Sequence, residues 1–241
     1  MPRKLLPLLA TLLLAPNFIA QESDRADLLK GIEVLPRNGV PGTVSAFGPE
    51  AFAILTGGGK QPLPVAGAAR FGKGRVVLIA HSYVDPATRE LDEDDARSVF
   101  AHNVVRWLSN GKKKVKVGTL KVSPKKWGQY DVLLWTGAPD WPDEEWVMSL
   151  QNYVNKGGGL FAGWCPWGWK QVTNRDLRED NPINQVASPM GLVLGDGYND
   201  ANQAGGYATS KNQANQVHAG KVFTYYSAIT TGGGKRDKAP P

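Results

Sequence analysis

Reactive side chains are scarce in this sequence, and the single cysteine, Cys165, stands at the end of the stretch 155–164, Asn-Lys-Gly-Gly-Gly-Leu-Phe-Ala-Gly-Trp. The stretch reads as a helix end, a glycine turn and a short buried strand over Leu160 to Trp164. In open α/β sheets, sites form just past the carboxyl ends of strands, so the thiol sits where a nucleophile would. Gly163-Trp164-Cys165 has the G-x-C opening of a nucleophile elbow. A helix starting at Pro166 would put the sulfur at a helix N-terminus, which favours thiolate. His81 ends another apolar run, Val76 to Ala80, and would supply the base that Cys–His chemistry needs.

Three features oppose catalysis. In elbow enzymes the N–H after the nucleophile helps hold the oxyanion, and Pro166 has none. Such a donor contributes roughly 3 kcal/mol or more. The position two residues beyond the nucleophile, which the tight elbow keeps small, is Trp167. No His-x-Glu pair follows, because His218 precedes Ala219 and Gly220. A half-buried structural thiol is the expected state of Cys165.

The other chemistry on offer is recognition. Trp164, Trp167 and Trp169, joined by Trp135 and Trp141, gather near strand ends. Tryptophan stacks on sugar faces and carries an N–H donor. Ser82, Asn174, Arg175, Asp176 and Asn184 are the candidate polar contacts. Against this stands the ordinary role of strand-end aromatics, which is to cap a core. His102 falls in mid-helix and reads as packing or surface. Asp196 and Asp200 lack the EF-hand spacing and read as a turn. Gly57-Gly58-Gly59-Lys60 is followed by Gln61, so it is not a phosphate loop. No metal site and no cofactor are expected.

The elements that must position these residues follow from hydrophobic patterning. Phe52 to Thr56 reads as a strand. Pro64 to Gly72 and Arg75 to Ala80 form a hairpin around Gly72-Lys73-Gly74. The continuously apolar Val76–Ala80 predicts a strand covered on both faces. Helical spacing predicts a helix over Leu91 to Ser109, with Asp92 to Asp95 in its first turn. Tyr130 to Trp135 is a strand, Pro142 opens a second helix, and Met190 to Gly195 and Val222 to Tyr226 are further strands. Arg25 to Gly31 reads as a helix followed by a loop. Strand, helix, strand, helix, strand indicates an α/β fold with a parallel sheet and right-handed crossovers.

Residues 1–20 read as a signal peptide: Arg3 and Lys4 form a basic region, and Leu5 to Ala15 is too short to span a bilayer. The expected location is therefore secreted, periplasmic or cell-envelope, with no stable membrane span after cleavage. Cleavage near Ala20 would remove Arg3, Lys4 and no acid, so the net charge falls from +6 to +4. Seven lysines lie between Lys112 and Lys126. Such a run reads as a solvated sheet edge that discourages aggregation, and nucleic acid is not an expected partner. One cysteine permits no internal disulfide, so the core must hold the fold even in an oxidising compartment. The organisation expected is an N-terminal segment over 21–44, one α/β domain over 45–231 and a disordered tail over 232–241.

Three segments carry a resemblance. Phe71-Gly72-Lys73-Gly74-Arg75-Val76-Val77-Leu78-Ile79-Ala80-His81-Ser82-Tyr83, then His102-Asn103-Val104-Val105-Arg106-Trp107-Leu108, then Tyr153 to Gly163 with Asn184-Gln185-Val186 and Gly191 onward, occur in order over roughly residues 45–200. Together they resemble the TRPM8 channel-associated factors and bacterial relatives bearing an M60 peptidase-like region. The resemblance implies a three-layer, mostly parallel, flavodoxin-like sheet of the class I glutamine amidotransferase type. The peptidase motif H-E-x-x-H is absent from the sequence, so no protease activity carries over. The implied role is partner or glycan recognition. The alternatives are a cysteine-dependent amidase using Cys165 and His81, and a structural domain of a longer envelope protein.

Overall fold

The computed structural model describes residues 20–37, 39–60, 62–81, 95–135 and 141–220. The signal-peptide core, Ser82, the acidic stretch 92–94, the strand expected at Val222 to Tyr226 and the tail all lie outside the described residues.

Six strands form the central sheet: β3 (Ala51–Thr56), β4 (Pro64–Phe71), β5 (Gly74–Ile79), β6 (Val117–Thr119), β7 (Val132–Trp135) and β8 (Gly159–Gly163). Their spatial order is β3-β4-β5-β8-β7-β6. β5, β8, β7 and β6 pair in parallel, while β4 runs antiparallel between β3 and β5. All but β4 therefore share one direction, and the sheet is mostly parallel.

Strand alternation sorts the core into two layers of side chains. Val77, Ile79, Val132, Leu134 and Phe161 face α2 (Ala96–Leu108) through Phe100, Val104 and Trp107. Val76, Leu78, Leu133, Trp135, Leu160 and Ala162 face α3 (Glu144–Asn155) through Leu150 and Val154. The same side carries α5 (Pro182–Ala187), which contributes Ile183 and Val186, and the antiparallel pair β2 (Thr43–Ala46) and β9 (Leu192–Gly195). Helices on both faces of the sheet make a three-layer α/β fold, as expected.

Several expected boundaries shift for physical reasons. The first helix, α1, spans 20–28 rather than 25–31. It docks through Arg25 Nε, which donates to Ala53 O at 2.8 Å, and through Asp24, which accepts both arms of Arg70 at 2.8 Å. Asp95 is the N-cap of α2, its carboxylate accepting from Arg97 N–H at 2.7 Å, so it lies ahead of the first turn. Asp143 caps α3 by accepting from Trp146 N–H at 2.8 Å, which puts Pro142 outside the helix. Residues 34–46, expected as loop, supply β2 and β1 (Val34–Pro36), which pairs with β10 (Gly206–Ala208). The lysine-rich segment supplies one edge strand, β6. Gly157, at φ +116, ends α3 and turns the chain directly into β8, a conformation that favours glycine.

Candidate functional site

β7 and β8 are parallel neighbours, so Trp135 and Gly163-Trp164-Cys165 emerge at the same, carboxyl edge of the sheet. Trp164 N–H still donates to Ile79 O at 3.2 Å, prolonging the ladder by one residue. At Cys165 the chain turns into α4 (Pro166–Thr173). Between these strand ends, α4 and the start of α5 lies a cavity of about 470 Å³. Its walls include Trp135, Trp141, Trp164 and Trp169, with Cys165 at the base of α4 and Pro182 and Ile183 from α5. Cavities of roughly 300–1,000 Å³ with apolar, aromatic walls are typical of small-ligand sites.

Three of the four aromatic walls make ring contacts that hold them in place. Trp135, only 1% exposed, has Trp146 edge-on to it at 5.3 Å. Trp169 is buried within α4 and meets Trp141 edge-on at 5.9 Å. Trp141 is 50% exposed, and the Arg175 guanidinium lies 3.9 Å from the centre of its ring. Arg175 follows Asn174, whose left-handed conformation ends α4.

Cys165 is the N-cap residue of α4, at φ −81 and ψ 104. That is ordinary extended backbone, unlike the strained turn that lifts an elbow nucleophile out of its sheet. Its thiol is half-buried, and burial pushes its pKa up, opposed by a hydrogen bond from Gly168 N–H. An activated thiol would be shifted the other way. His81 does not line the cavity; its ring lies against Gly39, where an added Cβ would come within 3.0 Å of Nε2. Burial lowers the His81 pKa. The loop over 39–42 also receives Pro166, whose Cγ occupies the space a side chain at Gly42 would need.

The other candidates divide. Trp164 and Trp169 meet in the cavity, whereas Trp167 does not line it: its Nε1 donates to Val40 O at 2.9 Å and its ring lies 5.7 Å from Tyr198. Asn184 is 3% exposed and does not line the cavity either. Its amide donates to Leu177 O at 2.9 Å and Leu194 O at 3.0 Å, and accepts from Leu194 N–H at 2.7 Å. It fastens α5 to β9. His102 is exposed on α2. Asp196 pairs with Lys170 at 2.5 Å. The walls from Asn181 to Ile183 escaped sequence reasoning, although Asn-Pro is a helix-start signal. Asn181 caps α5 by accepting from the N–H groups of Ile183 and Asn184.

A family model described as "TRPM8, N-terminal domain" matches residues 7–130, so the chain belongs to the TRPM8 channel-associated factor family, to its amino-terminal domain. Human TRPM8 channel-associated factor 2 is 31% identical over 223 residues, 86% of this chain and 23% of that protein. A zebrafish (Danio rerio) TRPM8 channel-associated factor homolog is 27% identical over 194 residues, 72% of this chain and 20% of that protein. The chain thus spans about a fifth of the length of these relatives. Among solved structures, IMPa from Pseudomonas aeruginosa in complex with an O-glycopeptide aligns at a TM-score of 0.58 and 15% identity, covering 95% of this chain and 29% of that one. The IMPa metallopeptidase in complex with T-antigen aligns with the same score and identity. At that identity the likeness is one of fold.

Proposed function

We propose that this chain is a non-catalytic binding domain whose tryptophan-walled cavity recognises a glycan presented by a partner molecule. The observation that carries the reading is the convergence of Trp135, Trp141, Trp164 and Trp169 on one cavity at the carboxyl ends of β7 and β8. Tryptophan faces suit the apolar faces of sugar rings, and that edge of an α/β sheet is where ligands bind. The scaffold is read as amidotransferase-like, with Cys165 marking the position of a lost nucleophile. Pro166, the raised thiol pKa and the unstrained backbone at Cys165 all favour binding over hydrolysis. The basic and apolar residues before Ala20 support export, so the partner is sought outside the cytoplasm. IMPa has been solved with an O-glycopeptide and with T-antigen, which makes O-glycopeptides the first ligands to try.

The test is a titration of the chain with an O-glycopeptide and the same peptide without sugar, followed by tryptophan emission and calorimetry. Saturable binding of the glycosylated form alone is expected. Equal binding of both peptides, or of neither, would overturn the reading.

A further inference from the structure

We propose that the lysine-bearing amino end of the parallel strands is a docking surface for a sulfated polysaccharide, separate from the aromatic cavity at the opposite end.

The positive charge of the chain is concentrated in one segment. Residues 106–131 hold eight basic side chains and one acid, a net +7, whereas the whole chain carries +6. The remainder is therefore close to neutral. The fold gathers much of that charge in one place. Lys112, Lys113, Lys114 and Lys116 link the end of α2 to the start of β6, and Asp131 N–H donates to Lys116 O at 2.8 Å beside the start of β7. Lys156 caps the end of α3 and lines the same cavity as Lys112. Lys73, in the turn between β4 and β5, stands next to Gly157, where an added Cβ would lie 3.7 Å from its own.

All six of these lysines are exposed. The one acid of the segment, Asp131, is taken up by Lys112 Nζ and by the Lys116 N–H. Among the described residues, Lys73, Lys113, Lys114 and Lys156 have no ion-pair partner. Lys125 is not part of the surface, because it shares a smaller cavity with Asp143 and Glu145. Clustered like charges raise the local potential and draw in a partner whose anions are closely spaced.

The side chains discriminate among polyanions. A membrane surface needs apolar anchors beside the lysines, and of this segment's large apolar side chains Val117 alone is exposed, at 41%. Single-stranded nucleic acid needs aromatic platforms for its bases, and Trp127 is buried. Reading of a duplex favours the planar arginine fork, whereas the four unpaired cations are lysines, compact point charges without a preferred plane. A sulfated polysaccharide supplies dense charge with neither bases nor acyl chains. It is also an extracellular polymer, so this choice of partner rests on the export reading above.

The experiment titrates the chain with heparin, uncharged dextran, a DNA duplex and phosphatidylserine vesicles in 0.15 M NaCl. Heparin should bind most tightly, with an affinity that falls as salt rises, and dextran not at all. The triple variant Lys113→Gln, Lys114→Gln, Lys156→Gln should weaken heparin binding about 10- to 100-fold. A control of equal charge, Lys30→Gln, Lys60→Gln, Lys211→Gln, removes exposed lysines elsewhere and should change it less than about 3-fold. Absence of heparin binding, or equal weakening by the two triples, would overturn the proposal. DNA or vesicles binding as tightly as heparin through the same lysines would overturn the choice of partner. If the first triple does not fold, amide NMR of the wild type decides: unmoved Lys113, Lys114 and Lys156 signals at heparin saturation reject the surface. The first triple should leave the O-glycopeptide titration unchanged, so the cavity and this surface can fail separately.

Discussion

The two ends of the parallel strands carry cavities of similar size and opposite character. At the carboxyl end, about 470 Å³ lies between four tryptophans, α4 and α5. At the amino end, about 530 Å³ lies beside Asp131, Tyr153 and Gly158. There Asp131 and Tyr153 already have partners. Asp131 accepts from Lys112 Nζ at 2.6 Å and from Lys116 N–H at 2.8 Å. The Tyr153 hydroxyl reaches Tyr130 O at 3.3 Å and Gly159 O at 3.4 Å, and burial, with Asp131 nearby, pushes its pKa far above the usual phenol range. Volume alone does not mark a site. One end is walled by aromatic and apolar side chains; at the other, Asp131 and Tyr153 are already partnered, and the lysines face water.

That contrast can be broken at either end. The largest effect should come from Asn184→Ala, which strands Leu177 O, Leu194 O and Leu194 N–H. We expect a loss of about 2–4 kcal/mol of stability in denaturant unfolding; a loss below about 1 kcal/mol would mean that Asn184 does not hold α5 to β9. Trp141→Ala should act on binding instead. Glycopeptide affinity should fall about 10-fold while the melting temperature changes little, because the ring is half-exposed.

At the amino end, Asp131→Asn should cost no more than about 1 kcal/mol, as for other ion pairs near the surface. Its hydrogen bond to Lys112, first among its causes, holds the Asp131 pKa below the ordinary carboxylate value. The folded pKa is therefore lower than the unfolded one. The stabilisation is complete above the unfolded value of about 3.9 and is lost as pH falls through the folded value. Thermal melts should show the gap between wild type and Asp131→Asn closing on acidification. A gap that persists into strong acid would show that the charge is not its source. The smallest effect concerns Cys165. Alkylation by iodoacetamide should be slow at neutral pH and accelerate only above the usual thiol range, because burial raises the pKa. Rapid labelling at pH 6 would signal an activated thiolate.

The elements legible in the sequence were those whose signal is local. Val76–Ile79 and Leu160–Ala162 are continuously apolar because both sheet faces are covered, and the Leu150 and Val154 stripe of α3 follows helical spacing. β1, β2 and β10 are three or four residues long and exist by pairing with distant partners, so no local window reveals them. Of the tryptophans around Cys165, Trp164 and Trp169 line the cavity and Trp167 does not. Two residues apart on a helix means about 200° of rotation, so Trp167 and Trp169 point to opposite sides of α4. The partners of Asn184 lie seven and ten residues away in sequence, at Leu177 and Leu194, so no local window reveals them.

The eight tryptophans offer a direct test of the central claim, because each indole N–H gives its own NMR signal. On titration with an O-glycopeptide, we expect Trp135, Trp141, Trp164 and Trp169, which line the cavity, to shift, while Trp107 and Trp127 stay fixed. Shifts centred on Trp127, which lines the amino-end cavity, or no shift at ligand excess, would contradict the account.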